Sequence, residues 1–256
     1  MPGKRKARSA PKSLQVDFVG HKDMEREESL LSHLDELRKR LIVVVAFVLV
    51  FSVFGFFVSG RIIERIAGDL VPLTASVVVS HPLEIIYAQL KIGLIVGFVL
   101  ALPLIIYEVL MFLKRGMTQR EKMIVVCVVP FSMVLFLFGA VFSYGVVLKV
   151  GMWFLAGMGR SFGVLNLWSI GRFVSFVFGL CVALGFVFQL PIIAVLLSKL
   201  GMIDAESMKK RRKYVIVLMF LASATITPPD VVTQVLVAVP LIILYEFSIV
   251  IIRFFG

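Results

Sequence analysis

Long uncharged apolar runs alternate with short basic connections along this chain. Ile42–Gly60, Ile92–Tyr107, Met123–Leu148 and Phe173–Ser198 carry no acidic or basic side chain. Two shorter runs follow, Tyr214–Pro229 and Val231–Tyr245. A bilayer core about 30 Å thick needs roughly 20 apolar helical residues. Extended to their turn signals, the runs predict six transmembrane helices at about 42–60, 83–112, 123–148, 172–198, 213–227 and 233–252. The fold class read from this pattern is an all-α polytopic membrane protein. The fifth apolar stretch, Tyr214–Ile226, has thirteen residues, about 20 Å of helix. Pro228 and Pro229 then force a turn, since proline lacks an N–H and restricts the residue before it. Spans five and six therefore read as a short hairpin with the bilayer thinned around it.

Basic residues set the orientation. Ten Lys and Arg precede Ile42, four lie in 113–122, six in 199–213 and one near the C-terminus, against five on the opposite side. Cytoplasmic segments carry the excess of Lys and Arg, which predicts both termini in the cytoplasm. Residues 1–29, with the basic stretch Lys4 to Arg8, read as a disordered cytoplasmic tail, and 30–253 as the membrane domain. The first thirty residues have no apolar core, so no cleavable signal peptide is expected. On the opposite side, Val71-Pro72-Leu73 and Ser80-His81-Pro82 suggest a structured cap, and Trp153 and Trp168 sit at interfacial depth.

Composition agrees with the spans. Sixty per cent of the 256 residues are hydrophobic and 17% charged, with mean hydropathy +1.02; soluble domains carry about 25% charged residues. The net charge of +11 is concentrated beside the spans, so nucleic acid is not the first partner to expect. Cys127 and Cys181 lie in apolar runs, where a thiol acts as a small hydrophobe, and no disulfide is expected. No phosphate-binding Gly-Lys-Ser/Thr loop, His-Glu-x-x-His, Gly-x-Ser-x-Gly or metal-ligand cluster is present. The chain reads as a non-enzyme with no cofactor and no metal.

Ionisable groups inside spans are rare and mark functional candidates. Glu84 and Lys91, seven residues apart in span two, share a helix face. They are positioned to pair with each other or to face a water-filled cavity. Glu108 lies near the cytoplasmic end of the same span. Gln189 sits deep in span four before Pro191, where it can bond backbone freed by that proline. Glu246 lies within two turns of the cytoplasmic edge of span six, and Arg172 opens span four as an interfacial anchor. A midplane site of Glu84, Lys91 and Gln189 would suit an ion-coupled secondary transporter of a small solute, the alternative reading. Such transporters show internal repeats, and no convincing repeat is seen.

Before span one, Leu34, Leu37 and Leu41 recur at helical spacing over 33–41. Ser32 with Asp35 fits a capping box, and Asp35–Lys39 and Glu36–Arg40 are i,i+4 pairs. The alternative to this self-paired helix is an anionic site, Glu36 joined by Glu121 from the 113–122 loop. A guanidinium fork is the natural partner of such carboxylates.

These residues resemble the TatC family, the multi-spanning core subunit of the twin-arginine protein translocase. The resemblance runs from about residue 30 to 253. It is carried by His33-Leu34-Asp35-Glu36-Leu37-Arg38, Pro82-Leu83-Glu84 with Lys91, and Leu102-Pro103 with Tyr107 and Phe112. Glu121, Phe138-Gly139, Phe142, Tyr144 and Gln189-Leu190-Pro191 continue it, followed by Lys210-Arg211-Arg212 with Tyr214. Thr227-Pro228-Pro229-Asp230, Gln234, Pro240 and Glu246 complete the set.

The resemblance implies six helices in a concave, cup-like bundle in the bacterial cytoplasmic (inner) membrane. It implies a receptor for the twin-arginine signal peptides of folded cargo, driven by the proton-motive force and working with TatA- and TatB-like single-span subunits. Self-association in a larger complex, surrounded by membrane lipid, is expected. Glu36 and Glu121 match the family's signal-recognition acids, and Arg38 and Phe112 residues needed beside them. Glu84, Lys91, Gln189 and Glu246 are the candidates for intramembrane or partner contacts, and Pro72, Pro228, Pro229 and Asp230 for outer-loop structure. The chain departs from many members in having Arg115 and Thr118 in place of Pro and Tyr, Lys149 in place of Pro, and Gln189 in place of Glu. A glutamine cannot carry charge, which disfavours a proton relay at that position.

Overall fold

The computed structural model describes the backbone of residues 12–113, 119–199, 201–227 and 230–255. The side chains of 12–34, 110, 112–113, 119–127 and 255 lie outside the described residues, as do Pro228 and Pro229. In chain order the elements are α1 (Lys12–Leu70), β1 (Ala75–Val78), α2 (Glu84–Leu113) and α3 (Gln119–Phe142). A π-helical segment (Ser143–Leu148), α4 (Lys149–Ser161), β2 (Asn166–Ser169) and α5 (Ile170–Val187) follow. The chain ends with α6 (Leu190–Lys199), α7 (Ala205–Ile226) and α8 (Val231–Phe255). It falls into two compact units, Met1–Val45 and Ala46–Gly256.

Five helical stretches are long and apolar enough to cross a membrane: Asp35–Leu70, Glu84–Val109, Val128–Ser161, Ile170–Lys199 and Val231–Phe254. With α7 they make the six membrane helices of the all-α class. Helices run beyond the apolar segments at several ends. The expected irregular tail meets α1, which takes in residues 12–29; Met24–Leu31 is rich in Glu and Leu, which favour helix. Residues 1–11 lie outside the described residues. Ser32 is inside α1, so it caps nothing, and the capping box is corrected to a mid-helix turn. At position 149 a lysine, a good helix former, lets the third span run through the π segment and α4 to Ser161. The turn comes at Gly163, whose φ of +68° suits glycine.

The expectation of two short spans holds for span five, since α7 is not among the described stretches long and apolar enough to cross a membrane, and is revised for span six, since α8 is. Helix α7 has 22 residues, and only its Tyr214–Ile226 part is free of charge. It begins at Ala205, where the Asp204 carboxylate accepts from the Ser207 N–H. Helix α8 has 25 residues, about 37 Å at 1.5 Å per residue, so it is not short. Span four is α5 and α6 with a break at Phe188–Gln189, followed by Pro191 in the first turn of α6, where its missing N–H costs nothing.

Within the larger unit, small residues let helices approach closely. A Cβ on Gly97 of α2 would lie 2.6 Å from both the Val48 carbonyl and the Ser52 nitrogen of α1. With Gly93 one turn earlier this is a Gly-x-x-x-Gly contact of the kind that brings membrane helices together. A Cβ on Gly139 of α3 would meet the Leu184 carbonyl of α5 at 2.8 Å. Ile92, Leu148, Val177, Leu184 and Val237 are buried in the shared core. At one end of this unit β1 and β2 pair in parallel, Ala75 with Asn166 through Val78 with Ser169. That end is called the strand end below. The all-α reading had no place for this sheet; its strands are four residues each, too short to show a period.

Candidate functional site

The sequence points to two groups of polar residues, and they differ in how they are held. In the N-terminal unit, the last turns of α1 before the apolar run carry both expected i,i+4 pairs. Lys39 Nζ lies 3.4 Å from Asp35 Oδ2, with both side chains largely exposed. Arg40 donates from Nη2 (2.7 Å) and Nε (3.2 Å) to Glu36 Oε1. Glu36 and Arg40 are about three-quarters covered, so this pair is the better shielded. An acid placed before its base along a helix is the favourable order. Arg38 is exposed. Phe112 and Glu121 lie outside the described residues. Asp35 keeps its pairing role and loses the expected helix-start role.

The strand end holds the second group. Glu84 is the first residue of α2, and its carboxylate collects donors from three places. Oε2 accepts from the Ser80 N–H at 2.6 Å. Oε1 accepts from the Gly171 N–H at 3.0 Å and from the Ser169 hydroxyl. Ser169 is the N-cap of α5, so Glu84 caps that helix from outside and closes its own β1–α2 turn. Lys91 donates to Ser175 Oγ at 2.6 Å, and Ser175 in turn donates to the Gly171 carbonyl. The expected Glu84–Lys91 pair does not form, because each has a partner on β2 or α5. Arg172 makes no ion pair or hydrogen bond with a described residue. Glu84, Lys91 and Arg172 line one open cavity of about 1430 Å³.

Gln189 is elsewhere. It is buried, and its Nε2 donates to the Ser132 carbonyl of α3 at 2.8 Å. The expected bond to backbone freed by Pro191 is replaced by this contact between spans three and four. Gln189 does not line the cavity of Glu84 and Lys91, so the three residues of the transporter reading do not converge. Glu246 of α8 accepts from Arg212 of α7 at 2.6 Å, and the Tyr245 hydroxyl donates to the Met208 carbonyl. These bonds join α8 to the part of α7 that carries the basic run 209–213. Asp230 caps α8, accepting from the Thr233 N–H at 2.7 Å and from its hydroxyl. Pro72 accepts from the Ala75 N–H at 2.9 Å as the chain turns into β1.

Outside the spans, the Asp204 carboxyl is lowered below its usual range. The Ser207 hydroxyl is the main cause; desolvation opposes it, and backbone N–H groups add to the lowering. Sequence reasoning missed Ser169, Gly171 and Ser175, the groups that engage Glu84 and Lys91. The serines at the start of span four were the available signal. It also missed Tyr144, which donates to Asp69 at 2.9 Å and ties the π segment to the end of α1.

Helices of this length, charges confined to their ends and polar seams between them define a multi-pass α-helical membrane protein. Comparison with known proteins narrows the class. The family model described as Sec-independent protein translocase protein (TatC) matches residues 32–240. A protein of that name from Desulforapulum autotrophicum is 35% identical over 239 residues, 91% of this chain and 88% of its own. One from Aquifex aeolicus is 36% identical over 223 residues, 86% of this chain and 92% of its own. A crystal structure of the twin-arginine translocase receptor TatC superposes with TM-score 0.76 at 36% identity, covering 87% of this chain and 98% of that one. This chain belongs to the TatC family of protein translocase components.

Proposed function

We propose that this chain is the receptor for twin-arginine signal peptides of folded cargo, with Glu36 as the carboxylate that meets the arginine pair. The observation that carries the reading is the match to a solved twin-arginine translocase receptor over 87% of the chain. The Glu36 geometry supports it chemically. Its present partner is a guanidinium on the next helical turn, so the carboxylate is already placed in guanidinium-binding geometry. An incoming guanidinium can exchange with that of Arg40 on the same carboxylate. Glu121 is its partner acid, and Arg38 and Phe112 complete the peptide site.

In this reading both termini face the cytoplasm of the bacterial inner membrane. TatA- and TatB-like single-span subunits assemble with the chain and with further copies of it, and the proton-motive force drives transport. The excess of Lys and Arg in the tail and in 113–122 and 199–213 supports that orientation. Glu84, Lys91, Gln189 and Glu246 then hold the helices in place or meet partner helices.

The test is charge reversal. Glu36→Lys and Glu121→Lys are each expected to abolish photocrosslinking to a twin-arginine signal peptide and export of a folded reporter. Unchanged export in both single variants and in the double variant would overturn the assignment.

A further inference from the structure

We propose that the cavity at the strand end binds one anionic phospholipid, with Lys91 and Arg172 holding its phosphate. Lys91 lies seven residues into α2, about 10 Å along the helix from Glu84. A cation at that depth is costly without a counter-charge. The protein does not supply one: neither Lys91 nor Arg172 has a carboxylate within ion-pair distance among the described residues. The cavity's own carboxylate, Glu84, is occupied by three donors. The lining therefore keeps a net positive charge.

The two cations line the same cavity. Arg172 and Ser175 are i,i+3 on α5, neighbours on one helix face about 5–6 Å apart at Cβ. Ser175 fixes the Lys91 ammonium at 2.6 Å, which leaves that ammonium two further N–H donors. An ammonium and a guanidinium reaching from one turn of α5 suit a phosphodiester whose single charge is shared by two non-bridging oxygens, and the guanidinium fork matches these in bidentate geometry.

The rest of the cavity suits acyl chains. Leu83, Tyr87, Leu155, Phe173 and Phe176 line it. At about 1430 Å³ it exceeds the roughly 300–1,000 Å³ of ordinary small-molecule pockets. Trp168 lines it too, the residue type found where headgroups meet hydrocarbon. With Glu84 taken, no carboxylate is left to receive the ammonium of a zwitterionic headgroup, which favours a lipid of net negative charge.

The experiment is lipid retention by the full chain in detergent, read by native mass spectrometry after exposure to phosphatidylglycerol or phosphatidylcholine. Wild type is expected to keep one phosphatidylglycerol in preference to phosphatidylcholine by about tenfold, a difference of about 1.4 kcal/mol. Arg172→Gln, which removes no hydrogen bond or ion pair with a described residue, lowers the preference. Lys91→Gln combined with it abolishes the preference, and Lys91→Arg keeps it. Millimolar inorganic phosphate does not displace the lipid.

Equal retention of the two lipids by wild type would overturn the proposal, as would an Arg172→Gln variant with unchanged preference. Displacement by phosphate alone, or a photocrosslinker at Tyr87 capturing signal peptide where lipid is expected, would also overturn it. Lipid retention is independent of Glu36, so failure here leaves the receptor reading standing.

Discussion

Glu36 and Glu84 are both glutamates at the edge of an apolar helix, yet they are held in opposite ways. Glu36 is met by a side chain four residues along its own helix. Glu84 is met by two backbone N–H groups and a hydroxyl from segments on either side of a strand pair. A local side-chain partner can rotate away and be replaced. Backbone donors cannot follow a ligand out, so a carboxylate they hold is committed to the fold. The contrast assigns exchange to the first glutamate and support to the second, although sequence presents them alike.

The strongest way to break this contrast is to remove each carboxylate in turn. Glu84→Ala is expected to lower the yield of folded, extractable protein several-fold, because small losses of stability shift abundance by that much. Glu36→Ala should leave yield unchanged while signal-peptide crosslinking disappears. Fluorescence-detected size exclusion and crosslinking measure the two sides, and a reversed pattern would exchange the roles.

A second probe asks whether other polar groups in the spans behave like Glu84. Gln189→Ala leaves the contact with the Ser132 carbonyl unmade, at a cost of about 1–3 kcal/mol, read in the thermal unfolding midpoint.

Arg40→Gln sharpens the other side. If the Arg40 guanidinium holds the place of an incoming one, its loss should raise signal-peptide affinity about two- to fivefold, within the 0.2–1 kcal/mol of such pairs. Binding titrations at two salt concentrations measure it; a fall in affinity would make Arg40 a positioning residue.

The smallest effect is expected at Asp204, a carboxylate held by its own helix start. Its folded pKa is depressed, so its stabilisation is present above the unfolded value near 3.9. It is lost as pH falls through the folded value. Asp204→Asn should lower thermal stability slightly at pH 7, with the difference from wild type closing below about pH 4.

Much of this architecture was legible because charge is so rare in it. Uncharged runs located the spans, since a bilayer tolerates little else. Their ends were less legible. Helix α1 continues through Arg61, Arg65 and Asp69, and α4 through Arg160, because polar residues at a membrane edge are compatible with helix. Helix α7 begins among the charges of 205–213, which hydropathy cannot separate from a loop. The Asp35–Lys39 and Glu36–Arg40 pairs were readable because i,i+4 spacing is local. The donors to Glu84 were not, because Ser169 and Gly171 become its neighbours only when α5 stands beside α2.

The parallel pairing of β1 with β2 has a consequence for biogenesis. Ala75 meets Asn166, so their junction closes only after the chain between them, including the whole third span, has been made and inserted. At 5–20 residues per second, a separation of about ninety residues is on the order of 5–20 s of synthesis. Throughout that interval β1 is an unpartnered strand edge, open to pairing with another chain. The Glu84 carboxylate likewise waits for Ser169 and Gly171 to arrive. A ribosome stalled before Asn166 would hold the first two spans with this end unsealed, the stage at which a chaperone or a neighbouring nascent chain has its best opportunity to bind.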